Sequence, residues 1–229
     1  MLENSKSINP HSLRLPALSL AIGVGFMALV FWTAGTLNLP FFWAVFAVQV
    51  VFALVCFIVL DPELIAERLH PKGKDEDPHA QKILGALGVL LFIVAALDAG
   101  RFHFSNNVPV AVRLLALMLH TAGWGGLVWS MKTNTFFSSA IRLQPDRHQQ
   151  VISTGPYRWL RHPGYAFGSI LFLSQALALG SWASAIPAVF MVLDLIYRTN
   201  LEERLLREGL PGYQEYSERV RYRWLPGVW

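Results

Sequence analysis

At 229 residues, 54% of them hydrophobic and 15% charged, with a mean hydropathy of +0.40, the chain lies outside the soluble range and inside that of membrane proteins. Its one cysteine, Cys56, excludes a disulfide framework and a cysteine-based metal site. The net charge of +4 fits the basic bias of membrane proteins, and no basic stripe with interleaved aromatics stands apart from the apolar runs, so no nucleic-acid partner is expected.

In chain order, residues 1–15 are polar and mildly basic, and the apolar run behind them is too long for a signal-peptide core; it is expected to be an uncleaved first span, about Pro16 to Gly35. A second span covers about Pro40 to Leu60, close to the ~20 residues a crossing helix needs. The polar connection 61–81 contains Pro62, Pro71 and Pro78, which leave room for only a short interfacial helix at Glu63–His70. A third span runs from about Lys82 to Ala99 and a fourth from about Val110 to Ser130. The longest polar region, 131–164, follows. Tyr165–Leu179 and Trp182–Tyr197 read as a helical hairpin joined at Gly180-Ser181. A polar tail is helical to Glu208, broken by Gly209, Pro211 and Gly212, with a second short helix at Tyr213–Val220.

The fold class is therefore all-α: a polytopic membrane protein of about six transmembrane helices forming one domain over 1–229. Residues 1–130 form a four-helix scaffold and 131–229 the catalytic region. Charge orients it. Placing both termini and the 61–81 and 131–164 connections on one side leaves Arg101 and Arg113 as the only Lys or Arg on the other. That asymmetry predicts cytoplasmic termini.

Three ionisable residues fall within spans, where charge is costly. Asp98 lies near a span end and is expected to cap or snorkel at the non-cytoplasmic surface. His120 is expected to be neutral and hydrogen-bonded. Asp194, four residues before Arg198, is placed to hold that Arg. Gly123, Gly125 and Gly126 are read as a helix-packing face, with a cofactor-admitting face beside Trp124 as the alternative. No His, Cys and carboxylate set has metal-ligand spacing, so no metal is expected.

The polar residues gather instead at one boundary. Ser153–Gly168 reads STGPYRWLRHPGYAFG, and Arg198–Gly209 answers it with RTNLEERLLREG directly after the last apolar run. Both segments lie where a water-soluble reagent meets a membrane-borne substrate. An Arg there, Arg161 or Arg198, suits two-pronged orientation of a carboxylate. His162 is the first candidate base for a group that must lose a proton, such as a thiol. Glu202 and Glu203 suit hydroxyls or an amino group. The plain alternatives are positive-inside anchors for the arginines and surface ion pairs for the glutamates.

The ordered set GPY, Arg161-His162-Pro163-x-Tyr165-x-x-Gly168, hairpin, Glu pair, Tyr213-x-x-Tyr216 and terminal Leu-Pro resembles the isoprenylcysteine carboxyl methyltransferase family and its bacterial membrane relatives over residues 131–229. The resemblance implies S-adenosylmethionine-dependent methyl transfer to a carboxylate or thiol of a small or lipidic acceptor, in the bacterial inner membrane. It nominates Tyr157, His162, Pro163, Tyr165, Gly168, Glu202 and Glu203 for the cofactor, and Arg161 and Glu203 are the catalytic candidates together with Arg198, which the reading of the residues adds. A sterol-type NADPH reductase, whose C-terminal half resembles the same pattern, and a non-enzymatic transporter or membrane partner protein are the alternatives. The resemblance carries no oligomeric state.

Overall fold

The computed structural model describes the backbone from Pro10 and side chains from residue 21; the polar N-terminal stretch expected on the cytoplasmic side lies largely outside the described residues. Eight α-helices make up the described chain: α1 (Pro10–Ala34), α2 (Pro40–Val59), α3 (Pro62–Leu69), α4 (Ala80–Leu97), α5 (Val110–Thr133), α6 (Pro163–Leu179), α7 (Ala185–Gly209) and α8 (Tyr213–Arg219). Among the described residues there is no strand.

Local chemistry sets these boundaries. The Asp61 carboxylate accepts from the Glu63 amide at 2.8 Å, and Pro62 opens the first turn, so α3 starts as soon as α2 ends. Pro163 opens α6 in the same way, leaving His162 at its N-cap. Gly180, at φ +84°, ends α6 in the left-handed conformation, and a side chain there would run into the Arg113 guanidinium. Past Gly209, Pro211 and the left-handed Gly212 turn the chain into α8.

Three helices, α2, α5 and the stretch Ala80–Phe102, are long and apolar enough to cross a membrane, and α6 is a shorter apolar helix. The exterior is as apolar as the core. Val50, Leu54, Phe57 and Ile58 on α2, Leu114, Leu115 and Met118 on α5, and Ile186, Val189, Phe190 and Leu193 on α7 all face outward. Contiguous apolar exteriors of this extent suit lipid rather than water.

Within the assembly, α5 lies along α6, α6 packs on α7, α4 on α7 and α1, and α2 on α5. Lipid tails are as apolar as leucine, so close packing and interhelical hydrogen bonds hold such helices together. Phe46 and Phe92 stack at 5.2 Å between α2 and α4, and Gln49 of α2 donates to Gln175 of α6 at 3.2 Å. Gly123 and Gly126 settle the reading of the small-residue cluster: a Cβ on Gly126 would lie 2.2 Å from the Phe167 ring and one on Gly123 3.0 Å from Leu171. They are the contact between α5 and α6.

The third span does not stop at Ala99. It continues through a π-helical turn, Asp98–Phe102, closed by left-handed His103. That turn buries Asp98 completely. Its carboxylate accepts from the Ser105 amide (2.7 Å), the Ser105 hydroxyl and the Ser181 hydroxyl (2.5 Å), tying the 103–109 connection to the α6–α7 turn. Asp98 thus fastens elements at that end instead of snorkelling to a surface.

Candidate active site

At the opposite end a cavity of about 270 Å³ opens among α3, α4, α5, α6, α7, α8 and the 134–152 connection. Leu84, Leu127, Gly168, Phe172 and Leu195 line its apolar part. Asn134, Arg142, Gln144, Gln149, His162, Arg198 and Glu202 line its polar part. A single space thus offers one region suited to hydrocarbon and another suited to a polar group.

The two polar segments singled out in sequence meet here. His162, at the N-cap of α6, sits with Nε2 2.9 Å from Glu203 Oε1 and Nδ1 3.6 Å from a Glu202 oxygen, both on α7. Its ring stacks with Tyr165 at 5.8 Å. Arg161 forms a two-pronged pair with Glu203 (2.7 and 3.2 Å), and its Nη1 donates to the carbonyls of Val220 and Arg221 at 2.7 and 2.8 Å. The Tyr213 hydroxyl donates to Glu203 at 2.7 Å, and Arg207 adds a further bond at 3.2 Å. The residues after α8 return across this cluster: the Arg161 and His162 amides donate to the carbonyls of Tyr222 and Arg223. Trp224 donates to the Thr199 hydroxyl at 2.9 Å.

These contacts divide the Glu pair. Glu203 is buried, and although burial alone would raise its pKa, the His162 and Arg161 hydrogen bonds outweigh that and hold it well below the usual carboxylate range. Glu202 keeps about 31% of its side chain exposed and lines the cavity. For His162 burial works against the charged form, but the two carboxylates prevail and raise its pKa. The imidazole is thus biased toward imidazolium and its Nε2 is spent on Glu203.

Of the residues nominated from sequence, Tyr157, Arg161, His162, Tyr165, Gly168, Arg198 and Glu202 line the cavity. Pro163 and Glu203 do not. Pro163 is fully buried at the start of α6, and Glu203 lies behind the wall where it holds Arg161, His162 and Tyr213. Arg161 commits nearly all of its fork to Glu203 and backbone carbonyls, so it has little left to orient an acceptor. Asp194 does not hold Arg198. That guanidinium reaches instead to Asp77 (3.3 Å) and the Ser139 carbonyl (2.9 Å), while one Asp194 oxygen has no partner among the described residues. His120 is buried with Nδ1 3.4 Å from the Leu171 carbonyl, away from the cavity lining.

Sequence reasoning missed the contribution of the first 130 residues: Arg68, Gln81, Leu84 and Leu127 all line the cavity. The available signal was the Glu67-Arg68 pair on a short helix directly after a span. Glu67 locks α3 to the 134–152 connection through Arg142 (3.1 Å to each oxygen) and Ser138 (3.0 Å).

A helical assembly with an extensively apolar exterior, three helices able to cross a membrane and a cavity of mixed polar and apolar lining defines a membrane protein with a candidate ligand site. Residues 111–211, from α5 to the turn before α8, match the phospholipid methyltransferase family, which is related to the isoprenylcysteine carboxyl methyltransferases. The match indicates a membrane methyltransferase. No curated protein matches the chain.

Proposed function

We propose that the chain is an S-adenosylmethionine-dependent methyltransferase acting on a small or lipidic acceptor at the cytoplasmic face of a membrane it crosses about six times. The observation that carries this reading is the convergence of Tyr157, His162, Tyr165, Gly168 and Glu202 from two distant segments on one cavity within the matched region.

The donor set fits the cofactor. Glu202 offers an open carboxylate to hydroxyl or ammonium groups, and Tyr165 and Phe136 offer ring faces. Gly164 lacks a Cβ that would strike Phe137, whereas one on Gly168 would make only ordinary contact with Leu195. When bound, S-adenosylmethionine supplies a methyl group already activated by sulfonium, so the protein's tasks are alignment and exclusion of water. Arg161 and Glu203 perform the first indirectly, by fixing His162, Tyr213 and the residues after α8 around the cavity. The apolar wall of Leu84, Leu127, Phe172 and Leu195 performs the second and suits the hydrocarbon part of an acceptor.

His162 argues about the acceptor. Both of its ring nitrogens face carboxylates, Nε2 at 2.9 Å from Glu203 and Nδ1 at 3.6 Å from Glu202, so neither is free to take a proton from an acceptor, which favours one that needs no deprotonation, such as a carboxylate, over a thiol.

Calorimetric titration of the detergent-purified protein with S-adenosylhomocysteine, with NADPH in parallel, tests the reading. Saturable binding of the first alone, weakened in Glu202→Gln, is the expected result. Binding of NADPH alone would replace this reading with a reductase, and binding of neither would overturn an enzymatic role for the cavity.

A further inference from the structure

Four arginines line the cavity, and three are matched. Arg142 is held by Glu67 and Asp146, Arg161 by Glu203, and Arg198 by Asp77 and the Ser139 carbonyl. Arg68 is the exception. Its guanidinium has no carboxylate or carbonyl acceptor among the described residues and lies over the Phe137 ring at 4.9 Å. Its position is nonetheless fixed. The helix carrying it is capped by Asp61, its neighbour Glu67 is locked to Arg142, and its own carbonyl accepts from the Ser139 hydroxyl at 2.8 Å.

A guanidinium stays protonated in any accessible pH range, so Arg68 cannot relieve its burial by losing charge. An aromatic face returns only part of that cost and satisfies none of its in-plane N–H groups. Arg68 is thus partly desolvated, carried on a fixed stretch of backbone and unspent, on the wall of a cavity. The geometry points to Arg68 as the anion-binding residue of the cavity, taking the carboxylate or phosphate of its ligand in two-pronged hydrogen bonds. Glu202, the open carboxylate on the same lining, makes the site complementary to a ligand carrying both a cationic and an anionic group. This deepens the proposed function and rests on it only for the choice of probes.

Two ligands could bring that anion: the cofactor, through its amino-acid carboxylate, or an amphiphilic acceptor, through its headgroup. The full chain in a maltoside detergent is titrated with S-adenosylhomocysteine, with 5′-methylthioadenosine, which lacks the amino-acid carboxylate, and with hexadecyl phosphate. Wild type is compared with Arg68→Ala and with Arg68→Met, which keeps an apolar stem over Phe137; thermal unfolding shows that the variant used is folded. A loss of about 10- to 100-fold, the scale of a charge-assisted bond, for S-adenosylhomocysteine but not methylthioadenosine places the cofactor's carboxylate on Arg68. The same loss confined to hexadecyl phosphate places the acceptor's headgroup there. Arg68-dependent phosphate binding without any S-adenosylhomocysteine binding would retain the anion site while removing the methyl-donor reading. Affinities within about twofold of wild type for both anionic probes, or no binding of either to wild type, would overturn the assignment.

Discussion

The two ends of the helix assembly are both built from buried polar side chains, yet they are finished differently. At the Asp98 end every partner is internal: one carboxylate, two serine hydroxyls and backbone amides close on one another. At the His162 end Glu203 is closed in the same way, but its neighbour Glu202 and, on another element, Arg68 open onto a cavity. A polar group satisfied within the chain fastens helices. One held in place and left unspent is equipped for a ligand, and adjacent residues on one helix turn can fall on either side of that line.

The sharpest way to break the comparison is to remove a fastener at the ligand end. Glu203→Ala strips Arg161, His162 and Tyr213 of their common acceptor and leaves a buried cation uncompensated, at a cost of about 3–5 kcal/mol. Denaturant unfolding in micelles is expected to show that loss, while Glu202→Gln stays near wild type and loses ligand affinity instead. Equal destabilisation by both would erase the distinction between them.

At the other end, Asp98→Ala orphans the Ser105 amide and two hydroxyls, at about 1–3 kcal/mol for each donor that finds no new acceptor. Affinity for any ligand of the cavity is expected to be unchanged once the variant is folded, because none of these groups lines it. A variant stable as wild type, or one with altered affinity, would show that the two ends are not separable.

Acid and base act on the ligand end with opposite signs. His162, raised from an ordinary value of 6.5, contributes stability that is complete below that value and lost as pH rises through its folded pKa. Glu203, depressed from 4.5, contributes above 4.5 and loses it as pH falls through its folded pKa. Both contributions are whole between about pH 4.5 and 6.5. The melting temperature of wild type is expected to fall above that window relative to its value within it, and His162→Gln to flatten the alkaline slope. An unchanged slope in the variant would place the alkaline loss elsewhere.

Much of this was legible in the sequence, for physical reasons that also mark where legibility ends. Helices with a single apolar character and sharp Pro or Gly punctuation, such as α6 between Pro163 and Gly180, declare their own bounds. The motif around Arg161 and the Glu pair pointed to the cavity because each of the two segments packs several polar residues into a short stretch beside an apolar run. Partners drawn from afar were not legible: Asp77 reaches Arg198 from 121 positions away and Arg68 reaches the cavity from a helix read as interfacial. Nor does an i,i+4 spacing fix partners, since Asp194 lies four residues before Arg198 without bonding it. Proximity in sequence proposes a pair, and competition from other elements decides it.

The smallest effect tests that competition between adjacent glycines of α5. Gly125 has open space where a Cβ would be, whereas at Gly126 a Cβ would meet the Phe167 ring at 2.2 Å. Gly126→Ala is therefore expected to cost about 1–3 kcal/mol, the scale of overpacking, because the ring or the helix must give way. Gly125→Ala meets nothing and gains helix propensity, up to about 1 kcal/mol, on a face that α6 does not touch. Unfolding of the two variants side by side is expected to separate them in sign. Loss of stability in Gly125→Ala would mean that this face has a partner of its own, and no loss in Gly126→Ala would mean that α5 and α6 do not depend on close approach there.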